Sequence, residues 1–234
     1  MHHQRPRVLL TALLVAAATT PARPAAVGAQ AWSYPAFQTP RVAARELNFG
    51  IADGSGTSLI FQWREGRAAR SQLSLDLGVV TGDNDVFLVG GQYGYQLARA
   101  DANMPLDFML TVGANGAFNS PNNLIRVPVG VSLGHRFPLE GLMAITPWVH
   151  PRLSIDHCSE CDVERRNNVF VTTSRTDANF VFDLGGSLEF TPTLAVRVAA
   201  SLGGGTFFDD AFGVSLAWTP GRMSSGGGRP PRRG

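Results

Sequence analysis

Residues 106–118 place Leu106, Phe108, Leu110, Val112, Ala114, Gly116 and Phe118 on alternate positions, with Asp107, Thr111 and Asn115 among the residues between them. A period of two marks a β-strand with one apolar and one polar face. An ordinary strand runs about five or six residues, whereas a tilted strand that crosses a bilayer needs about nine to eleven. The length of this stretch therefore predicts one stave of a membrane barrel.

The same alternation recurs along the chain. Leu47, Phe49 and Ile51 alternate with Glu46, Asn48 and Gly50, and Leu59, Phe61 and Trp63 with Ser58, Gln62 and Arg64. Further stretches over 72–79, 87–96, 125–134, 143–156, 179–190, 194–202 and 211–218 follow suit, separated by turn chemistry such as Asp53-Gly54-Ser55-Gly56 and Thr191-Pro192-Thr193. The prediction is an all-β chain, a transmembrane antiparallel up-and-down β-barrel of about ten strands over residues 45–218, with eight as the smaller alternative. Pro128 cannot donate to a ladder, and a closed barrel has no edge to hold it, so a bulge is expected there.

The polar faces carry Glu46, Arg64, Asp76, Asp107, Arg126, His150, Arg152, Asp183, Glu189 and Arg197. In a soluble sandwich, the competing reading, this row would simply meet water. In a narrow transmembrane barrel it lines the lumen, where acids and arginines must pair to offset desolvation. Glu189 and Arg197, on either side of the Pro192 turn, are expected to pair. His150 beside Trp148 and Arg152 is a candidate pH-sensitive lumen group.

The connections 65–70, 98–105, 138–141 and 191–193 are short and fall on one side by strand parity. The longest stretch without alternation, 157–178, falls on the other and is expected to be an extracellular loop that meets a ligand. Its Cys158 and Cys161 are expected to form a small disulfide; Cys-x-x-Cys with His157 alone does not complete a metal site. No metal or cofactor is expected.

Composition adds location. A basic start, an apolar run over residues 8–18 and the small residues Ala29 and Ala31 read as a signal peptide over 1–31. Residues 32–44, with two prolines and no alternation, are expected as a periplasmic lead-in, and the Gly/Pro/Arg-rich 219–234 as a disordered tail. A net charge of +2 excludes a strong electrostatic case for nucleic acid. All 20 basic residues are arginine, most simply a compositional bias. The oligomeric state is left open.

With these strands and faces, residues 45–218 resemble the small outer-membrane β-barrels of Gram-negative envelopes. That group carries an assembly signal on its last strand, matched here by Gly213, Leu216 and Trp218, although Ala211 stands at its polar position. Asp183, Gly185, Leu188 and Phe190 form a complete copy. The resemblance implies outer-membrane lipid as the surroundings and the barrel-assembly machinery as a partner during insertion. It does not imply an activity; the chain is read as a structural or surface-interaction protein with a largely plugged lumen, with a narrow diffusion pore as the alternative. The omptins, ten-stranded surface proteases of the same membrane, resemble the chain in strand number and use paired Asp and Asp-His groups. Asp83, Asp85, Asp156 and His157 are the candidates for that chemistry, with Asp156 and His157 adjacent where the omptin pair is spaced by one residue.

Overall fold

The computed structural model describes residues 36–54, 56–81, 85–119, 123–139, 143–166, 169–204, 207–208 and 210–220. The expected signal peptide, Asp83 and tail residues 221–234 lie outside the described residues. The strands are β1 (Arg45–Asp53), β2 (Thr57–Ala68), β3 (Ser71–Thr81), β4 (Val86–Ala98), β5 (Asp107–Phe118), β6 (Asn123–Gly134), β7 (Phe137–Pro138), β8 (Ala144–Arg166), β9 (Val169–Thr191), β10 (Leu194–Gly204) and β11 (Ala211–Trp218). Strands β1 to β6 pair in sequence order, as do β8 to β11; β1 pairs with β11 and β6 with β8. Ten antiparallel strands thus close into a ring, and the two-residue β7 sits on the start of β8. This is the up-and-down barrel that the alternation predicted.

The start of β1 and the end of β11 define a proximal end. At the distal end β8 and β9 outgrow their neighbours. The last β6 pair joins Asn123 to Ser159 and the last β10 pair joins Gly204 to Phe180, whereas β8 and β9 stay paired out to Arg166 and Val169. A two-stranded ribbon therefore stands above the barrel where an irregular loop over 157–178 was expected. The residues there are β-formers, Val169, Phe170, Val171, Thr172 and Thr173 among them. A ribbon outside the barrel covers no core, so neither face has to be apolar and no period of two is written into the sequence.

Prolines are absorbed without the expected bulge. The β5–β6 register is the same on both sides of Pro128, Val112 pairing with Val129 and Asn115 with Arg126, and the ladder simply lapses between them. The Pro128 ring faces Gly113, where a Cβ would lie 3.3 Å from its Cγ, so the missing side chain supplies the room. On the β8 side Pro128 still pairs with Ser154.

The faces sort by chemistry. Phe49, Ile51, Leu59, Phe87, Val112, Ile125, Leu153, Phe180, Leu202 and Phe212 stand exposed around the outside. Trp63, Tyr93, Tyr95 and Trp218 occupy the proximal halves of their strands. Inside, Asn48, Gln62, Arg64, Gln72, Asp107, Asp156, Asn179 and Asp183 are buried. A largely polar interior, with Ile60, Val80, Leu88 and Leu124 buried toward its distal end, under an apolar exterior inverts a soluble protein and matches a barrel whose solvent is hydrocarbon.

Candidate functional site

The lumen holds the only dense assembly of polar side chains among the described residues, and it begins with a segment expected elsewhere. Within the predicted periplasmic lead-in over 32–44, residues 36–40 run inside the barrel and 41–44 cross its proximal mouth. The Phe37 side chain is fully buried. Its ring lies over Gly50 of β1 and Gly213 of β11, where added Cβ atoms would come within 3.1 and 2.5 Å of it. The Phe37 carbonyl accepts from Arg64, from Arg197 Nη1 at 2.8 Å and from Asn48 Nδ2 at 3.4 Å. Nearer the proximal mouth, Gln72 accepts from the Ala43 N–H at 2.9 Å. Gln96 accepts from the Val42 N–H at 3.2 Å and donates to the Pro40 carbonyl at 2.9 Å. Ala44 closes the entry by accepting from the Gly66 N–H at 3.1 Å. An irregular backbone survives inside a membrane barrel only when its polar groups find such partners.

Charges pair in three tiers. Glu46 receives Arg197 through two contacts, 2.7 and 2.6 Å, and Arg64 at 3.1 Å, in the tier that grips Phe37. Asp76, buried on β3, belongs to the same neighbourhood. In the middle, Asp183 takes Arg152 Nε at 2.9 Å and Nη2 at 3.0 Å, together with the Ser201 hydroxyl. Distally, Arg126 binds Asp156 through Nε at 2.9 Å and Nη2 at 2.7 Å; Asn179 adds a donor to Asp156 at 2.7 Å. Arg126 also donates to the Phe207 carbonyl at 2.9 Å and lies over the Phe208 ring, so the β10–β11 connection folds back over this tier.

Glu189 and Arg197 do not pair. A register shift beside the Pro192 turn sets Ala195 opposite Glu189 and Ser187 opposite Arg197. Arg197 turns toward Glu46, and Glu189 instead receives Arg136 from the β6–β8 connection at 2.9 and 2.7 Å. Asp107 sits at the proximal mouth, accepting from the Ala100 N–H at 3.0 Å with Arg41 at 3.6 Å.

His150 Nε2 lies 2.8 Å from Thr111 Oγ1, and its Nδ1 3.4 Å from Asp183. Hydroxyl, imidazole and carboxylate in that order are the parts of a nucleophile, its base and an orienting acid. Here the Thr111 hydroxyl donates to the Gly130 carbonyl at 3.2 Å, and the adjoining cavity is about 30 Å³. That space holds about one water and no substrate carbonyl. The omptin-like candidates are not assembled either: Asp156 is buried against Arg126, while His157 faces outward and bonds Thr176 at 2.8 Å. Asp85 is exposed at the distal rim. Adjacent residues of one strand point to opposite faces, and β8 has not ended at this point. Among the described residues no three His, Cys, Asp or Glu gather to hold a metal ion.

Cys158 and Cys161 are disulfide-bonded where β8 carries extra residues against β9, between the Cys158–Arg175 and Asp162–Thr173 pairs, and Glu160 adopts a φ of 60°. On β11, Gly213 faces inward beneath Phe37, while Leu216 and Trp218 face outward. Strand patterning placed Gln72 and Gln96 on the polar face but did not single out Phe37 or Arg136; the glycines Gly50 and Gly213, a two-strand gap in an otherwise filled row, were the available signal for the first.

No family model matches the chain, and no curated protein matches its sequence. Among solved structures, the chain is similar to the N-terminal β-barrel domain of Pseudomonas aeruginosa OprF, at 10% identity and a TM-score of 0.38 over 74% of this chain and 95% of that one. The KdgM porin matches at 9% identity and 0.36 over 74% and 98%, and Neisserial surface protein A at 13% and 0.27 over 75% and 94%.

Proposed function

We propose that this chain is an integral outer-membrane β-barrel of structural or surface-interaction type, closed to diffusion by its own N-terminal segment. The observation that carries the reading is the Phe37 carbonyl, held inside the lumen by Arg64 of β2, Arg197 of β10 and Asn48 of β1. Those donors would otherwise line an aqueous path with cationic and amide groups. The apolar outer face demands a bilayer, because a monomer in water rarely exposes so continuous an apolar surface. The proximal end, with its short connections, is the periplasmic end, and the ribbon faces outward from the cell.

The test is conductance in planar bilayers. Wild-type protein is expected to be electrically silent. Protein lacking residues 36–41, or carrying Gly213→Val to expel the Phe37 ring, is expected to show discrete steps. Steady steps from wild-type protein would replace the closed reading with that of a narrow diffusion pore.

A further inference from the structure

The proximal rim carries Arg41, Arg45, Arg67, Arg70, Arg99 and Arg136, and the acids near it are nearly all engaged. Arg45 takes Glu65 at 3.2 Å, Arg41 lies by Asp107, and Arg136 takes Glu189. Asp101 accepts from the backbone N–H groups of Asn103 and Met104 at 2.8 and 2.9 Å. Among the described residues Arg67, Arg70 and Arg99 have no carboxylate partner, and Arg99 donates to the carbonyl of Ala69, which lies between Arg67 and Arg70 in sequence. Arg45, Arg67 and Arg99 line a cavity of about 820 Å³ with Val42, Ala44, Ala68 and Ala69 as its apolar lining, and its one carboxylate, Glu65, is the one that Arg45 engages. The distal rim has the opposite character, with Asp53, Asp85 and Asp210 exposed around it.

We infer that this cavity is a binding site for the phosphate of an anionic phospholipid headgroup. Its level argues for a lipid over a free anion. The Arg67 guanidinium lies 5.9 Å above the Trp63 ring, and Trp63 belongs to the outward row of β2 with Leu59 and Phe61. Trp and Tyr mark the depth at which headgroups meet hydrocarbon, and Trp63, Tyr93, Tyr95 and Trp218 all lie toward this end. Arg45 continues the outward row of Leu47 and Phe49 past the same level. A guanidinium fork suits phosphate oxygens, and an arginine that stacks on an interfacial ring reaches the headgroup without leaving it. The apolar lining suits the glycerol and upper acyl carbons, which a free phosphate lacks.

This inference rests on the reading that the barrel lies in a bilayer, and its test separates the two. Full-length mature protein is reconstituted in nanodiscs of phosphatidylcholine with a minor fraction of phosphatidylglycerol, and the lipids retained are read by native mass spectrometry. Heat-modifiable gel mobility reports whether the barrel is folded in the bilayer. Wild type is expected to retain phosphatidylglycerol about tenfold over its share in the disc, in line with the attraction of each interfacial arginine. The folded triple variant Arg67→Gln, Arg70→Gln, Arg99→Gln is expected to lose that enrichment, whereas the triple Lys variant and the distal Arg175→Gln keep it. Equal retention by wild type and the triple Gln variant would overturn the site, as would displacement of the lipid by millimolar inorganic phosphate. A protein that stays unfolded in discs would sink the bilayer reading and the site with it.

Discussion

Arg126 and Asp156 stand directly opposite each other on β6 and β8, joined by two hydrogen bonds of 2.9 and 2.7 Å, and both are buried. Neither charge has water to return to, so the pair is costly to break and not necessarily costly to replace. Among the described residues Arg126→Ala leaves Asp156 with only the Asn179 amide, and it is expected to destabilise the barrel by about 3–5 kcal/mol. Arg126→Met with Asp156→Leu is expected to recover most of that loss. Urea unfolding in lipid vesicles followed by tryptophan fluorescence measures both; additive losses in the double variant would show that the two side chains act independently.

The contrast between this pair and Glu189–Arg197 shows what a sequence can carry. Period-two patterning located each of the ten barrel strands and assigned Glu46, Arg64, Asp76, Arg126, His150, Arg152, Asp183 and Arg197 to the polar side, because burial on one face dictates alternate residues. Pairing within that row depends on register, and in the register the strands adopt Glu189 faces Ala195 while Arg197 faces Ser187. Arg136, the partner Glu189 takes, comes from a connection 53 residues away and carries no periodic signal. Phe37 escaped for a related reason. Its backbone is irregular and its partners lie on β1, β2 and β10, so only the folded ring of strands brings them together. The ribbon was missed because a two-stranded structure with no core to cover writes no amphipathic pattern.

Asp101 makes the proximal β4–β5 connection sensitive to acid. The N–H groups of Met104 and Asn103 point at its carboxylate and hold it below the usual aspartate range. A lowered value means the folded turn favours the ionised form. Its contribution is present above the ordinary aspartate value and is lost as pH falls through the lowered one. Amide hydrogen exchange over residues 99–106, corrected for intrinsic rates, is expected to show this turn loosening below about pH 4. Asp101→Ala is expected to show the loosened exchange at neutral pH as well. A turn whose protection is the same at pH 7 and in acid, in both proteins, would leave the carboxylate without this role.

The ribbon offers the most direct check of orientation. Beyond Ser159 on β8 and Phe180 on β9 neither strand has an outer neighbour, so its backbone is held by one partner only. Such a two-stranded piece is marginal alone, whereas each barrel strand is paired on both sides. Protease added to intact cells is therefore expected to cut between Cys161 and Ala178 and to spare the barrel. The Cys158–Cys161 bond spans the place where β8 carries extra residues, so reducing it is expected to speed those cuts severalfold without changing the heat-modifiable mobility of the barrel. The ring it closes is small, and the stabilisation it adds to the ribbon is correspondingly modest. Cuts confined to the β2–β3 and β4–β5 connections would place the proximal end outside the cell. The ribbon would then face the periplasm, and any partner it meets would have to be sought there.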